Sequence, residues 1–232
     1  MGKYLKYGIG EIVLVVIGIL IALSINNWNE ERKERILATE NYRNLLTSLQ
    51  QDSIKIQRTL GLNEIGLNAL RRIIPLEVNR ALIELNEADL NQFLIELNYS
   101  NRSFISNSEI YGLLTANNGL DLIQSDKIKS LLINLYDYQY KAYADLDARI
   151  DIKSLEQLGS IIKEKMGQVV EYTPELSIVQ NASSVLFEEH YAELAAESRD
   201  VFSMLSYNRN NLINMERAIG ELLSLIRAEV NS

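Results

Sequence analysis

The sequence predicts an all-α protein in which an N-terminal transmembrane helix continues into an extramembrane antiparallel helical bundle with long, coiled-coil-like helices. Three observations predict it. Fourteen uncharged, mostly apolar residues fill positions 12–25. Neither Gly nor Pro interrupts the 42 residues from Ile19 to Leu60. Beyond the apolar run, apolar residues recur at alternating steps of four and three, the spacing of one helix face. Composition agrees. With 47% apolar and 23% charged residues among 232, the chain can bury a core. Two prolines and eleven glycines are too few for a turn-rich β fold. The absence of cysteine excludes disulfides, a thiol nucleophile and cysteine-ligated metal. A formal net charge of −8 opposes binding to nucleic acid phosphates.

The first segment, 1–28, is read as a short tail and the membrane helix. From Tyr7 to Trp28 are 21 helical steps, ~32 Å at 1.5 Å each, which matches a hydrocarbon core of about 30 Å. Tyr4 and Tyr7 stand before the run and Trp28 after it, where an aromatic belt meets the lipid interface. Its eleven Ile, Val and Leu residues contribute roughly −3 to −7 kcal/mol to insertion. Glu11, near the segment's end, opposes this by less than the ~3 kcal/mol of a central acid. Two rival readings are a cleaved signal peptide, with Ala22-Leu23-Ser24 as a loose cleavage site, and a buried core helix. An acid at the start of the apolar run and unbroken helical sequence beyond it weigh against the signal peptide.

Residues 29–75 are read as a juxtamembrane long helix. Glu31 and Arg35 form an i,i+4 pair in the favourable order. Tyr42, Leu46, Leu49, Ser53, Ile56, Leu60, Asn63, Leu67, Leu70 and Ile74 make a seam that ends at Pro75, with Gly61 and Gly66 as candidate kinks. The seam packs on its own domain or on another chain. Residues 76–232 are read as the rest of the helical domain. A helix is expected over 87–97 and a loop over 98–103. Ser106-Asn-Ser-Glu109 reads as a capping box opening a short helix that Asn117-Asn118-Gly119 ends. Ser125 or Asp126 caps a long helix reaching Met166. A loop with Pro174 fills 167–182, and a final helical pair covers about 184–196 and 200–230.

The stretch from Lys6 to Lys33, with Gly10-Glu11-Ile12 before the apolar run and Ile25-Asn26-Asn27-Trp28-Asn29-Glu30 after it, closely resembles the N-terminal signature of domain of unknown function 6090, a bacterial membrane-protein family. The resemblance implies a single-pass protein of the inner membrane, with a helical C-terminal domain and no assigned activity. It implies a cytoplasmic N-terminus and a periplasmic C-terminal domain. The bare count of Lys and Arg points the other way, because Arg32, Lys33, Arg35 and Arg43 follow the span. Family members carry a basic segment ahead of the signature, which here begins near Met1.

Three residues on one face of the membrane helix are candidate association residues. Glu11 and Gly18 are seven apart, and Gly18-x-x-x-Ala22 is a small-xxx-small pattern that lets helices approach closely. Glu11 would find a partner across that contact, couple protons, or simply lie at the interface as a solvated carboxylate. His190, the single histidine, lacks the Glu partner of a di-iron motif and reads as helix surface. Tyr136, Tyr138, Tyr140 and Tyr143 cover several helix faces, so most should pack in the core and some lie outside it. No residue pattern asks for a cofactor or metal. The expected function is therefore a non-enzymatic, membrane-anchored interaction or assembly subunit, whose partners are the lipid bilayer and another copy or a partner membrane helix. The alternative is an extracytoplasmic sensory module with a small-ligand pocket between helices.

Overall fold

The computed structural model describes residues 2–75, 79–172 and 176–231; the side chains of 2–13, 172 and 176 lie outside the described residues. The chain is mostly helical. Helix α1 (Gly2–Ile73) runs unbroken through Gly61 and Gly66. Two short helices, α2 (Arg80–Ile83) and α3 (Glu87–Asn98), turn the chain at the far end of the bundle. A strap over 99–108 then runs back along α1 to α4 (Glu109–Ala116). From Ser125, whose hydroxyl accepts the Ile128 N–H, a second rod ascends beside α1. It comprises α5 (Asp126–Ile133) and α6 (Tyr140–Ile152), with wide π-helical turns at Asn134–Gln139, Lys153–Leu158 and Ile161–Lys165. Strands β1 (Val169–Tyr172) and β2 (Leu176–Gln180) follow, then α7 (Ser184–Glu189) and α8 (Tyr191–Val230). Helix α8 descends antiparallel to α1: Arg199 donates to the Ile74 carbonyl, and Glu216 accepts from Ser53 and Gln57.

The seam on α1 packs within the chain. Tyr42, Leu49, Ile56, Asn63, Leu67 and Leu70 are buried against the strap, α3 and the two rods. Leu205, Leu212, Met215, Ile219, Leu222 and Ile226 form the matching stripe on α8. The π turns were not legible as such. Each inserts an extra residue per turn, so sequence neighbours Leu135 and Tyr136, and later Ile161 and Ile162, are buried together.

Three local expectations are corrected. The capping box does not form: α4 starts at Glu109, and Ser108 makes no side-chain cap bond. Asn107 is held by α1 instead, its N–H donated to Asp52 and its carbonyl taken by the Ser48 hydroxyl. The segment 167–182 is an antiparallel hairpin with Val170 opposite Ile178, not an open loop. Val169, Val170, Ile178 and Val179 supply the β-branched residues that favour strands, and Gly167 at φ +82° turns the chain into the hairpin. The break in the final helical pair falls at His190 rather than over 197–199. Among the described residues no helix is long and apolar enough to cross a membrane. The apolar run opens at Ile12 and Val13, ahead of the described side chains.

The core is two apolar clusters separated by a polar layer. The cluster at the far end joins Leu67 and Leu70 of α1 to α3, α7 and the first half of α8. The cluster at the stalk end joins Tyr42, Leu49 and Ile56 to the strap, α5 and the second half of α8. Between them lie Thr59, Asn63, Asn101, Asp147 and Asn208, all buried.

Candidate functional site

Two regions stand out: the exposed end of α1 and the buried carboxylates beneath the strap. Every described side chain of α1 from Leu14 to Leu37 is exposed, and only its last turns, from Glu31, edge a groove with Asp121 and Glu229. Leu14 is 71% exposed and Trp28 57%, against 0% for Leu45 just inside the bundle. A Cβ at Gly18 would meet nothing within 4 Å. Ala22 is exposed on the same face. The Arg32 guanidinium lies 5.9 Å from the Trp28 ring centroid, a cation–π distance. Glu31 and Arg35 approach to 4.0 Å in the expected pair, both well exposed, so it adds little stability. Glu11, Tyr4 and Tyr7 belong to the helix by backbone, and their side chains lie outside the described residues.

The second region is polar and internal. Asp52 is fully buried; its carboxylate accepts the Asn107 N–H and the Tyr140 hydroxyl, each at 2.8 Å. Burial pushes the Asp52 carboxyl above its ordinary value, and these bonds and Lys55 offset part of the rise. Asp147 Oδ1 accepts Asn101 Nδ2 at 2.9 Å and the Tyr143 hydroxyl at 3.1 Å. Burial raises the Asp147 carboxyl too; Asn101 and Ser103 pull it down, while the charge of nearby Asp151 adds to the rise. Burial, with the neighbouring Asp52 or Asp147, raises the Tyr140 and Tyr143 hydroxyls, and burial pushes Tyr136 up to about 12. A cavity of about 280 Å³ opens beside them, lined by Ser103, Phe104, Tyr140, Tyr143, Asp147 and Asp151. The Tyr140 and Tyr143 protons are already committed to Asp52 and Asp147. The couples therefore satisfy one another and pin the strap to α1 and α6.

A family of unknown function (DUF6090) matches residues 11–146, more than half of the 232 residues. The chain belongs to this family. No curated protein and no solved structure matches it. The stretch matched to DUF6090 starts at Glu11 and takes in the exposed end of α1, Asp52, the strap and the tyrosine cluster. It ends one residue before Asp147, and all of α8 lies beyond it.

In this DUF6090 chain Gly18 and Ala22, the expected association residues, lie four residues apart on one exposed side of α1. The expected tyrosine cluster divides: Tyr136, Tyr140 and Tyr143 are buried and Tyr138 is 66% exposed. His190 sits at the α7–α8 break with Nδ1 3.7 Å from Glu193, its side chain 27% exposed, so it is more enclosed than a plain helix surface residue. Among the described residues no group of three His, Asp or Glu side chains could hold a metal ion. Sequence reading missed Asp52 and Asp147. The signal was present: Asp52 lies between Leu49 and Ile56, and Asp147 between Tyr143 and Ile150, each at a core-facing step. An acid at such a position marks a polar group that must find internal partners.

Proposed function

We propose that this DUF6090 protein is a single-pass protein of the cell inner membrane, a non-enzymatic interaction or assembly subunit whose helical domain stands on a rigid stalk in the periplasm. One observation carries the reading. The apolar part of α1 projects from the bundle with Leu14, Ile17, Leu20, Ile21 and Leu23 exposed and nothing of its own chain against them. In water such a surface is a strong liability; in lipid it is at no disadvantage. With Ile12 and Val13 added from the sequence, the uncharged run meets the bilayer arithmetic, and the resemblance supplies the orientation.

The test is carbonate extraction of membranes carrying the full chain, followed by protease treatment of intact spheroplasts. Retention in the pellet, with the bundle digested from outside, is the expected result. Release into the supernatant would refute anchoring, and protection of the bundle would reverse the orientation. Affinity capture of wild type and Glu11→Ala then tests association, with one partner lost in the variant as the expected result.

The cavity beside Tyr140, Tyr143 and Asp147 favours a second reading, a small-ligand sensory module. A ligand-dependent rise in melting temperature that Tyr143→Phe abolishes would support it.

A further inference from the structure

The proposed function leaves open what the exposed end of α1 contacts. We infer that its occupant is a second copy of this chain, packed in parallel along one face that runs from Gly18 through Ala22, Ile25 and Asn29 to Ile36. The inference rests on the membrane-anchored reading, because insertion with a common orientation makes the two helices parallel.

The bundle itself selects the face. Glu31, Ala38 and Tyr42 of α1, edged by Arg35, line a groove with Asp121 and Glu229, so this side of the helix looks toward its own domain. Asn29 lies two residues before Glu31, about 200° around the helix at ~100° per residue. Gly18, Ala22, Ile25, Asn29 and Ile36 follow at steps of four, three, four and seven, and all are exposed. The face with the small residues therefore points away from the bundle, and a second copy can approach with neither domain in the way.

The chemistry on this face fits a copy of itself. Within the span, where lipid gives no hydrophobic drive, Gly18 and Ala22 allow backbone contact. Asn29 takes the same seam position as Ala22 and Ile36, where one polar pair fixes parallel register. At the flank, Arg35, which in the single chain reaches Glu31 at 4.0 Å and edges the groove, lies five residues before Glu40, the spacing at which opposite charges face each other across a parallel pair once Arg35 turns outward. Arg32 falls on the seam, yet its guanidinium is already turned aside onto Trp28.

The absence of native cysteine makes the test clean. Single substitutions Asn29→Cys and Ile36→Cys on the seam, and Glu31→Cys and Ala38→Cys on the bundle side, are oxidised in membranes carrying the full chain. The expected result is a covalent dimer at 29 and 36 and only background at 31 and 38. Adding Gly18→Leu to Asn29→Cys should lower the dimer about tenfold while the protein stays in carbonate-washed membranes. Equal crosslinking on both sides, or none at 29 and 36 with the protein retained, overturns the pairing and leaves the anchor standing. A crosslink at 29 to a band of another mass assigns the face to a different partner and overturns the second copy. Release of the protein by carbonate removes the anchor and the pairing together.

Discussion

Gly66→Ala and Gly61→Ala are the same substitution five residues apart in one helix, and they should move stability in opposite directions. In an open helix either change gains up to ~1 kcal/mol from helix propensity. A Cβ at Gly61 meets nothing within 4 Å, so Gly61→Ala keeps that gain. A Cβ at Gly66 would stand 2.6 Å from the carbonyl carbon of Ser100 and nearer still to its oxygen. Ser100 cannot yield freely. It is fully buried, and the strap beside it is tied by the Arg102 N–H to Asn63 at 2.7 Å and by Asn101 to Asp147 and Asp151 at 2.9 Å. Overpacking costs about 1–3 kcal/mol, and lifting the strap would leave buried polar groups unpaired at ~1–3 kcal/mol each. After the propensity gain, Gly66→Ala should lose ~2–4 kcal/mol, a drop of roughly 4–16 °C in a chain of this size. Gly61→Ala should rise by about 2–4 °C. Thermal and urea unfolding of the full chain in detergent, followed by tyrosine circular dichroism, measures both. If Gly66→Ala is as stable as Gly61→Ala, the strap does not cross α1 where described and the account of the polar layer is wrong.

Three other outcomes are expected. Asp52 carries a raised carboxyl in the fold, so the folded chain holds that proton more tightly than the unfolded one; its contribution is full below about pH 4 and is lost as pH rises through the folded value. Asp52→Asn should remove this slope from urea midpoints measured across acid pH, and curves parallel to wild type would contradict the assignment. Ile56→Ala, at a fully buried position, should cost about 2–5 kcal/mol, whereas Ile54→Ala, 67% exposed, should stay within ~0.5 kcal/mol; equal losses would mean the seam is misassigned. Asn91→Ala should free the hairpin, because Asn91 Oδ1 accepts the Ala182 N–H and Gln168 Nε2, each at 2.8 Å. Amide exchange over 169–180 should then accelerate while that of α8 does not.

How much of this could be read in advance depends on whether a feature is local. Helix α3, the long second rod and the apolar stripes of α1 and α8 were legible, because side-chain period and Ser or Asn caps act within a few residues. The α4 start was not, because Asp52 and Ser48, more than fifty residues away, hold Asn107 out of the helix. The π turns were missed because they realign one face with neighbours that only the packed bundle supplies. Asp52 and Asp147 were passed over because an acid at a core step has no meaning until its hydrogen-bond donors are placed.

By itself, the sequence determined the family, the helical class, the apolar run and the face shared by Glu11, Gly18 and Ala22. All of these follow from order and spacing along one chain. The tertiary structure alone decided which side of α1 is covered, where the strap crosses at Gly66, and that the core is split by a polar layer around Asp147. The reason is physical: burial is a relation between segments distant in sequence. A helix carries its faces with it, but only the neighbours that arrive decide which face remains uncovered.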